Sequence, residues 1–193
     1  MVLAPWRALI ANAIHKNSSL VYSRYVQLAT VRENGLPANR TVVFRGFLEN
    51  SNCLRFVTDI RSDKSKQVQK QELAEVCWYF PKTREQFRIA GRLILVSADS
   101  HIDLQTTRIK MWQELSDTAR LQFVWPTPGK ERVSIAAAFT PSAPDTIQPV
   151  DSFCLLLLEP TFVDHLQLRG DPQNRYLYEI NDQEEWSCKE VNP

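Results

Sequence analysis

Three short segments combine cationic, hydroxyl and amide side chains at spacings that suit the binding of a phosphate or a heterocycle. The first is Arg40-Thr-Val-Val-Phe-Arg45, whose alternation as a strand places Arg40 and Arg45 on opposite faces. One arginine therefore points into a half-buried sheet, where an unpaired charge is costly. A phosphate would satisfy it through bidentate hydrogen bonds. An internal arginine–carboxylate pair or a solvent-facing arginine is the alternative.

The second segment, Phe56-Val-Thr-Asp-Ile-Arg-Ser-Asp-Lys64, joins the end of a strand to the start of a helix. It brings the hydroxyls of Thr58 and Ser62 close in sequence to the cations of Arg61 and Lys64. A helix N-terminus offers free backbone N–H groups and a positive dipole end, which suits a phosphate. The alternative is a local role, in which Ser62 only caps the helix and both cations lie in water.

The third segment, Arg84-Glu-Gln-Phe-Arg-Ile-Ala-Gly91, has the pattern of a strand. Gln86 shares one face with Arg88 and Ala90, and its amide could bind the edge of a heterocycle. An exposed polar strand face is the alternative.

His165 is the histidine best suited to donate a proton, because histidine titrates near neutral pH. An ordinary structural role is the alternative for it. His15 and His101 fall on predicted helices, where surface positions are the rule.

Antiparallel strands must position these segments. The Asn34-Gly35 pair between two β-rich runs predicts a tight hairpin. An amphipathic helix is predicted after Pro5, a polar helix over 62–71, and a third helix in which Ser100 and Asp103 form a capping box. The apolar face of that third helix would hold Ile102, Ile109, Trp112 and Leu115. The predicted strands cover residues 25–31, 39–47, 53–59, 74–80, 85–97, 153–158, 175–180 and 184–191.

Length and composition predict one globular domain over 1–193, with 44% hydrophobic and 23% charged residues. The strand order predicts a mainly β, α+β fold: an antiparallel barrel with peripheral helices. Within it, 1–24 would be an N-terminal helix and lead-in, and 140–150 a proline-rich loop. Only five glycines, with no glycine-rich strand-to-helix turn, argue against a Rossmann or P-loop domain.

Charge and cysteine content limit the classes of binding partner and of metal site that we expect. The net charge of +1 gives no reason to expect a nucleic acid, although residues 40–92 carry eleven Lys/Arg against six Asp/Glu. Four cysteines without a CxxC pair predict free thiols and no metal site. With neither a signal-peptide pattern nor a membrane-length apolar run, we expect a cytoplasmic protein that does not bind membranes.

The order of the three segments, followed by Asn174-Arg175-Tyr-Leu-Tyr178, resembles the FMN-binding split barrels related to pyridoxamine 5′-phosphate oxidase. The resemblance spans 25–98 and 160–193. Arg24–Val31, Arg40–Phe47 and Trp125-Pro126 resemble more closely a cyanobacterial-type branch of FMN-binding proteins. The resemblance implies a homodimer with FMN in a cleft at the dimer interface.

Carried across by position, the resemblance assigns roles to ten cofactor residues. Arg40 and Lys64 would bind the FMN phosphate, with hydroxyl contacts from Thr58 and Ser62. Arg61 would replace a phosphate-binding arginine that is lost at Asp63. The remaining assignments place Val42 and Val43 along the isoalloxazine through their backbone, Gln86 and Arg175 against the flavin, and Arg45 in place of a lysine that binds substrate phosphate.

The substrate side departs from the family pattern. Asp171 and Gln173 stand where the oxidases have an arginine and a histidine, and His165 stands where they have a tryptophan near the flavin. These changes predict an FMN-dependent oxidoreductase with an altered substrate site and an unidentified small-molecule substrate, in which His165 and Arg45 are the substrate candidates. The alternatives are a non-catalytic FMN carrier or sensor, and a haem-binding split barrel with His165 as axial ligand.

Overall fold

The computed structural model describes residues 3–193, which form eight strands and four α-helices. The strands are β1 (Tyr25–Val31), β2 (Pro37–Val43), β3 (Leu54–Asp59), β4 (Leu73–Phe80), β5 (Glu85–Val96), β6 (Phe153–Gln167), β7 (Asn174–Ile180) and β8 (Trp186–Val191). The helices are α1 (Pro5–Lys16), α2 (Asp63–Lys70), α3 (Ile102–Gln113) and α4 (Asp117–Leu121), with 3₁₀ turns at Gln122–Val124 and Ala136–Phe139. No helix in this part of the chain is long and apolar enough to cross a membrane.

The strands form one antiparallel sheet in the order β2-β1-β4-β5-β6-β7-β8, with β3 paired to β6 outside this path. The long strand β6 pairs with β5 along most of its length. On its other side it pairs first with β3 and then with β7. Because β6 changes partner partway along, the sheet curls into a split barrel. The predicted antiparallel barrel with peripheral helices is confirmed.

Aromatic side chains fill the barrel interior. Trp6, Phe56, Trp78 and Phe87 are fully buried and belong to one apolar cluster. A second cluster around Trp112 lies beneath α3. The barrel therefore has a packed core, and ligands can bind only at its surfaces and edges.

Several predicted elements are confirmed. The helix after Pro5, the strand over 25–31 and the loop over 140–150 all lie where the sequence places them. Ser62 caps α2 and accepts a hydrogen bond from the Ser65 amide. The hairpin between β1 and β2 turns at Gly35, whose φ of +80° is a conformation that glycine adopts readily.

Other bounds differ from the prediction. Strand β2 ends at Val43 rather than at residue 47, because beyond it the backbone of Arg45 and Gly46, where φ is +99°, forms hydrogen bonds with Arg55 of β3. Strand β6 continues to Gln167, well beyond the predicted end at 158, because a β-bulge opposite Gly91 accommodates Pro160 within it.

The predicted capping box at Ser100 and Asp103 is wrong. His101 is the N-cap of α3 and makes no side-chain cap bond. The Ser100 hydroxyl instead accepts a hydrogen bond from the Ser97 amide at 2.9 Å. Ile102, predicted on the apolar face, is 75% exposed. The buried face of α3 is formed by Arg108, Met111 and Trp112.

The bulge predicts a strict need for glycine at position 91. A Cβ there would lie 2.0 Å from the carbonyl oxygen of Glu159, which belongs to the backbone of β6. Gly91→Ala is therefore expected to lower the free energy of unfolding by about 2–3 kcal/mol, as overpacked sites do. In Gly35→Ala nothing lies within 4 Å of the new Cβ, so the loss is limited to backbone strain of about 1–2 kcal/mol. Urea unfolding measures both, and an equal or smaller loss in Gly91→Ala would contradict the steric account.

Candidate cofactor site

Arg40 lies on the inward face of β2, in one row with the fully buried Leu28 of β1. Its Nη1 donates to Thr30 Oγ1 at 2.6 Å and to the Leu28 carbonyl at 3.1 Å, and its Nη2 donates to Gln67 Oε1 at 2.9 Å. All of these acceptors are neutral. Within residues 3–193 no carboxylate pairs with Arg40, so its charge is fixed in place but not neutralised.

Lys64 lies in the first turn of α2 and adds a second cation. Burial, and then the charge of Arg40, lower the pKa of Lys64 to about 8. Among the described residues its ammonium forms neither a hydrogen bond nor an ion pair. Two cations therefore raise the local potential at the start of α2, without a paired anion between them.

Hydroxyl groups adjoin this pair. Thr58 Oγ1, at the end of β3, lies 3.3 Å from Ser62 Oγ. A cavity of about 520 Å³ opens here, with Thr58, Ser62 and Lys64 among its lining residues and Trp125 and Arg132 from the segment after α4. The two hydroxyls, the Lys64 side chain and the free N–H groups of a helix start thus lie at the edge of one cavity.

Arg61 is placed differently from Arg40 and Lys64. Its guanidinium is paired with Asp59, with Nη2 2.6 Å from Asp59 Oδ2. It also donates to the carbonyls of Phe123 and Trp125. Arg61 therefore ties the segment after α4 to the end of β3 and shapes the wall of the cavity.

Arg45 follows β2 and is only partly exposed. Its Nε is buried and has no hydrogen-bond partner among the described residues. Burial and the neighbouring charge of Arg24 lower its pKa. A buried donor without an acceptor is a group that an anionic ligand would stabilise.

Gln86 and Arg175 lie on the outward face of the sheet. The strand register aligns Gln86 of β5 with Leu166 of β6, and Leu166 with Arg175 of β7. The adjacent row on this face holds Arg88 and Asp164. The structure therefore brings Gln86 and Arg175 together across one intervening residue.

His165 points the other way, into the core. It is fully buried, stacks on Phe87 with ring centroids 4.0 Å apart, and places Nε2 2.9 Å from Glu85 Oε2. Burial of Glu85 opposes its ionisation, but the hydrogen bonds from His165 and Thr83 outweigh burial and lower the pKa of Glu85. The Nδ1 of His165 is buried without a hydrogen-bond partner among the described residues, and the other contacts of His165 are those of a structural core residue.

Leu166, which the sequence did not single out, lies between Gln86 and Arg175 in the strand register. Successive side chains of a strand face opposite sides, so a difference of one residue in alignment exchanges the core face for the outer face. His165, a substrate candidate chosen from the sequence, therefore lies on the core face, and its neighbour Leu166 lies on the outer face.

The cluster at the start of α2 fits the phosphate group of a mononucleotide. It presents N–H and O–H donors together with two cations that lack an anionic partner, as the binding of a phosphate requires. Val42 and Val43 continue along β2 from Arg40, with Val42 buried and Val43 partly exposed.

Comparisons with known proteins agree with this fit. The sequence profile of the family described as "Pyridoxamine 5'-phosphate oxidase, FMN-binding domain" matches residues 3–97. The chain is 43% identical over 199 residues to the pyridoxine/pyridoxamine 5′-phosphate oxidase 2 of Arabidopsis thaliana, covering 99% of this chain and 98% of that protein.

Solved structures show the same fold. A pyridoxamine 5′-phosphate oxidase-related, FMN binding protein from Nostoc punctiforme PCC 73102 is 66% identical, with a TM-score of 0.98 over 100% of both chains. PhzG from Burkholderia lata 383, in complex with tetrahydrophenazine-1-carboxylic acid, has a TM-score of 0.79 over 100% of this chain and 98% of its own. At 17% identity that likeness concerns the fold alone.

The contacts of His165 predict a role in stability. His165→Leu would remove one of the two side-chain hydrogen bonds to the half-buried Glu85 carboxylate and should lower the free energy of unfolding by about 2–4 kcal/mol. The matched control is His101→Gln, since His101 is exposed and its pair with Asp103 is solvated; a change below about 0.5 kcal/mol is expected. Chemical unfolding of both variants checks this, and equal stabilities would refute the structural role.

Proposed function

The chain belongs to the pyridoxamine 5′-phosphate oxidase family of FMN-binding proteins, and on that premise we propose that it is an FMN-dependent oxidoreductase with an altered substrate site. The main support for a cofactor site is the pair of cations at Arg40 and Lys64, which lack a carboxylate partner among the described residues. When bound, FMN supplies the redox chemistry, which requires no protein nucleophile.

In this proposal each part of the site has a defined task. Arg40 and Lys64 bind the phosphate, and the hydroxyls of Thr58 and Ser62 complete its hydrogen bonds. Arg61 holds the cavity wall in place through Asp59. The backbone of Val42 and Val43 lines the ring system, whose polar edge is contacted by Gln86 and Arg175.

We further propose that the protein acts as a homodimer with FMN at the interface. Arg40 faces inward from the sheet, whereas Gln86 and Arg175 face outward. One flavin cannot easily meet both faces of the same sheet within one protomer. In a dimer, one subunit can bind the phosphate while Gln86 and Arg175 of the other subunit contact the ring, so no single sheet has to contact the flavin with both faces.

The substrate is a small molecule, and its site differs from that of the oxidases at the turn between β6 and β7. Asp171 is exposed there, and Gln173 is partly exposed. A carboxylate at 171 disfavours a phosphorylated substrate, whereas the unpaired Nε of Arg45 favours an anionic group at its own position. We therefore expect the protein to turn over pyridoxamine phosphate more slowly than an anionic substrate that carries no phosphate.

We also place the protein in the cytoplasm. All four cysteines are free thiols, which suits a reducing compartment. Burial raises the pKa of Cys53, and raises that of Cys154 to about 11, so both thiols are poor nucleophiles at neutral pH.

The oxidoreductase proposal is tested by the spectrum of the purified protein and by anaerobic mixing with candidate reductants. We expect flavin absorption bands that bleach with at least one member of a panel of amines, aldehydes, nicotinamide cofactors and pyridoxamine phosphate. A flavin that no substrate reduces would identify a carrier or sensor instead. A Soret band would identify a haem protein.

The lowered pKa of Lys64 predicts how FMN affinity depends on pH. In the ligand-free protein the ammonium loses its proton near pH 8, so above that pH binding must take up a proton. The Kd for FMN is therefore expected to rise about tenfold or more between pH 7 and 9.5. Lys64→Arg should flatten this rise, since arginine stays charged.

Lys66→Gln is the matched control for this profile. Lys66 lies on the same helix but is exposed and pairs with Asp63 at 3.8 Å. Its removal should leave the affinity and its pH dependence unchanged. A flat profile in the unmodified protein, measured by flavin fluorescence, would remove Lys64 from the phosphate site.

A further inference from the structure

Asp164 is a buried carboxylate shared by two arginines on the outward face of the sheet. It accepts hydrogen bonds from Arg88 Nη2 at 2.6 Å and from Arg175 at 3.0 Å (Nε) and 2.8 Å (Nη2). The side chain of Asp164 is 3% exposed, whereas those of Arg88 and Arg175 are 41% and 32% exposed. The Asp164 carboxylate therefore lies below the surface of the sheet, whereas the two guanidinium groups reach the solvent.

The three residues come from three adjacent strands. Asp164 on β6 lies opposite Arg88 on β5 in the register, and Arg175 on β7 belongs to the neighbouring row. Fixed strand spacing leaves Asp164 little freedom, and its two hydrogen bonds to Arg175 fix the plane of that guanidinium. An arginine held in this way loses little side-chain entropy when it binds a ligand.

The charges also favour a stable arrangement. Burial opposes ionisation of Asp164, but hydrogen bonds from Arg175 and Arg88 outweigh it and keep the pKa of Asp164 below its usual value. Glu75 lies 3.9 Å from Arg88 Nη1, beyond hydrogen-bond distance, and is 42% exposed, so solvent screens it. Asp164 thus stays charged at neutral pH and keeps both arginines in place.

We propose that Asp164 is a positioning residue for the cofactor: it holds the Arg175 guanidinium in the orientation in which that group contacts the flavin, and Arg88 fixes Asp164 from the opposite side. The proposal rests on the proposed function, which places Arg175 at the flavin. It assigns a task to Asp164 and Arg88, which do not themselves need to touch the ring.

A double-mutant cycle tests this proposal, with FMN affinity measured by titration of the apoprotein. Asp164→Asn is expected to raise the Kd about tenfold, because the amide has no negative charge and only one acceptor oxygen, so the paired hydrogen bonds from Arg175 Nε and Nη2 cannot both form. In an Arg175→Gln background the same change should raise the Kd less than about twofold, since the residue that Asp164 positions is gone. An effect of equal size in both backgrounds would overturn the proposal, since Asp164 would then act through the fold alone.

A control and a second variant keep the test decisive. Glu159→Gln removes another β6 carboxylate that pairs with a β5 arginine, Arg92 at 3.9 Å, and should leave FMN affinity unchanged.

If Asp164→Asn does not fold, Arg88→Gln takes its place. In this variant the bond between Asp164 and Arg175 remains, and we expect the Kd for FMN to rise about threefold. Arg175→Gln should again suppress this rise. No change in Kd in that variant would overturn the role of Arg88. Failure of the unmodified protein to bind FMN would refute the proposed function instead.

Discussion

The site depends on two cations, Arg40 and Lys64, which the fold holds in place without a carboxylate partner among the described residues. Both cations are held by the fold, Arg40 by neutral acceptors on β1 and α2 and Lys64 by its place in the first turn of α2. Holding them without a carboxylate costs free energy in the ligand-free protein, and the pKa of Lys64 is lowered first by burial and then by the charge of Arg40. In the proposed function a bound phosphate would offset that cost, because the cations are already in position.

The long strand β6 connects the two halves of the site. Its first half pairs with β3, whose end carries Thr58, and its second half pairs with β7, which carries Arg175. The bulge at Gly91 lets β6 follow the curve of the barrel without a break. In the proposed function, phosphate binding and ring contact would use opposite faces of this one sheet, and this is why the proposal includes a dimer.

The sequence was sufficient where a local rule determines the structure. The Asn34-Gly35 turn and the Ser62 cap both follow from neighbours in the chain, whereas the sequence left open whether Arg40 or Arg45 points inward. The sequence was insufficient where contacts with residues far away in the chain determine the structure. Arg108 is on the buried face of α3 because its guanidinium donates to the carbonyls of Val150 and Phe153, which no helical pattern reveals. The pairing of Arg61 with Asp59 and the core position of His165 likewise depend on contacts that only the fold creates.

The most direct test of the phosphate site compares FMN with riboflavin, which differs by the phosphate alone. Equilibrium titration of the apoprotein should give a Kd for FMN at least about 100-fold below that for riboflavin, since each charge-assisted bond contributes about 1.5–3 kcal/mol. Arg40→Ala should remove most of that difference and leave riboflavin binding nearly unchanged. Equal affinities for the two flavins, or an Arg40→Ala variant that keeps the full preference for FMN, would contradict the account.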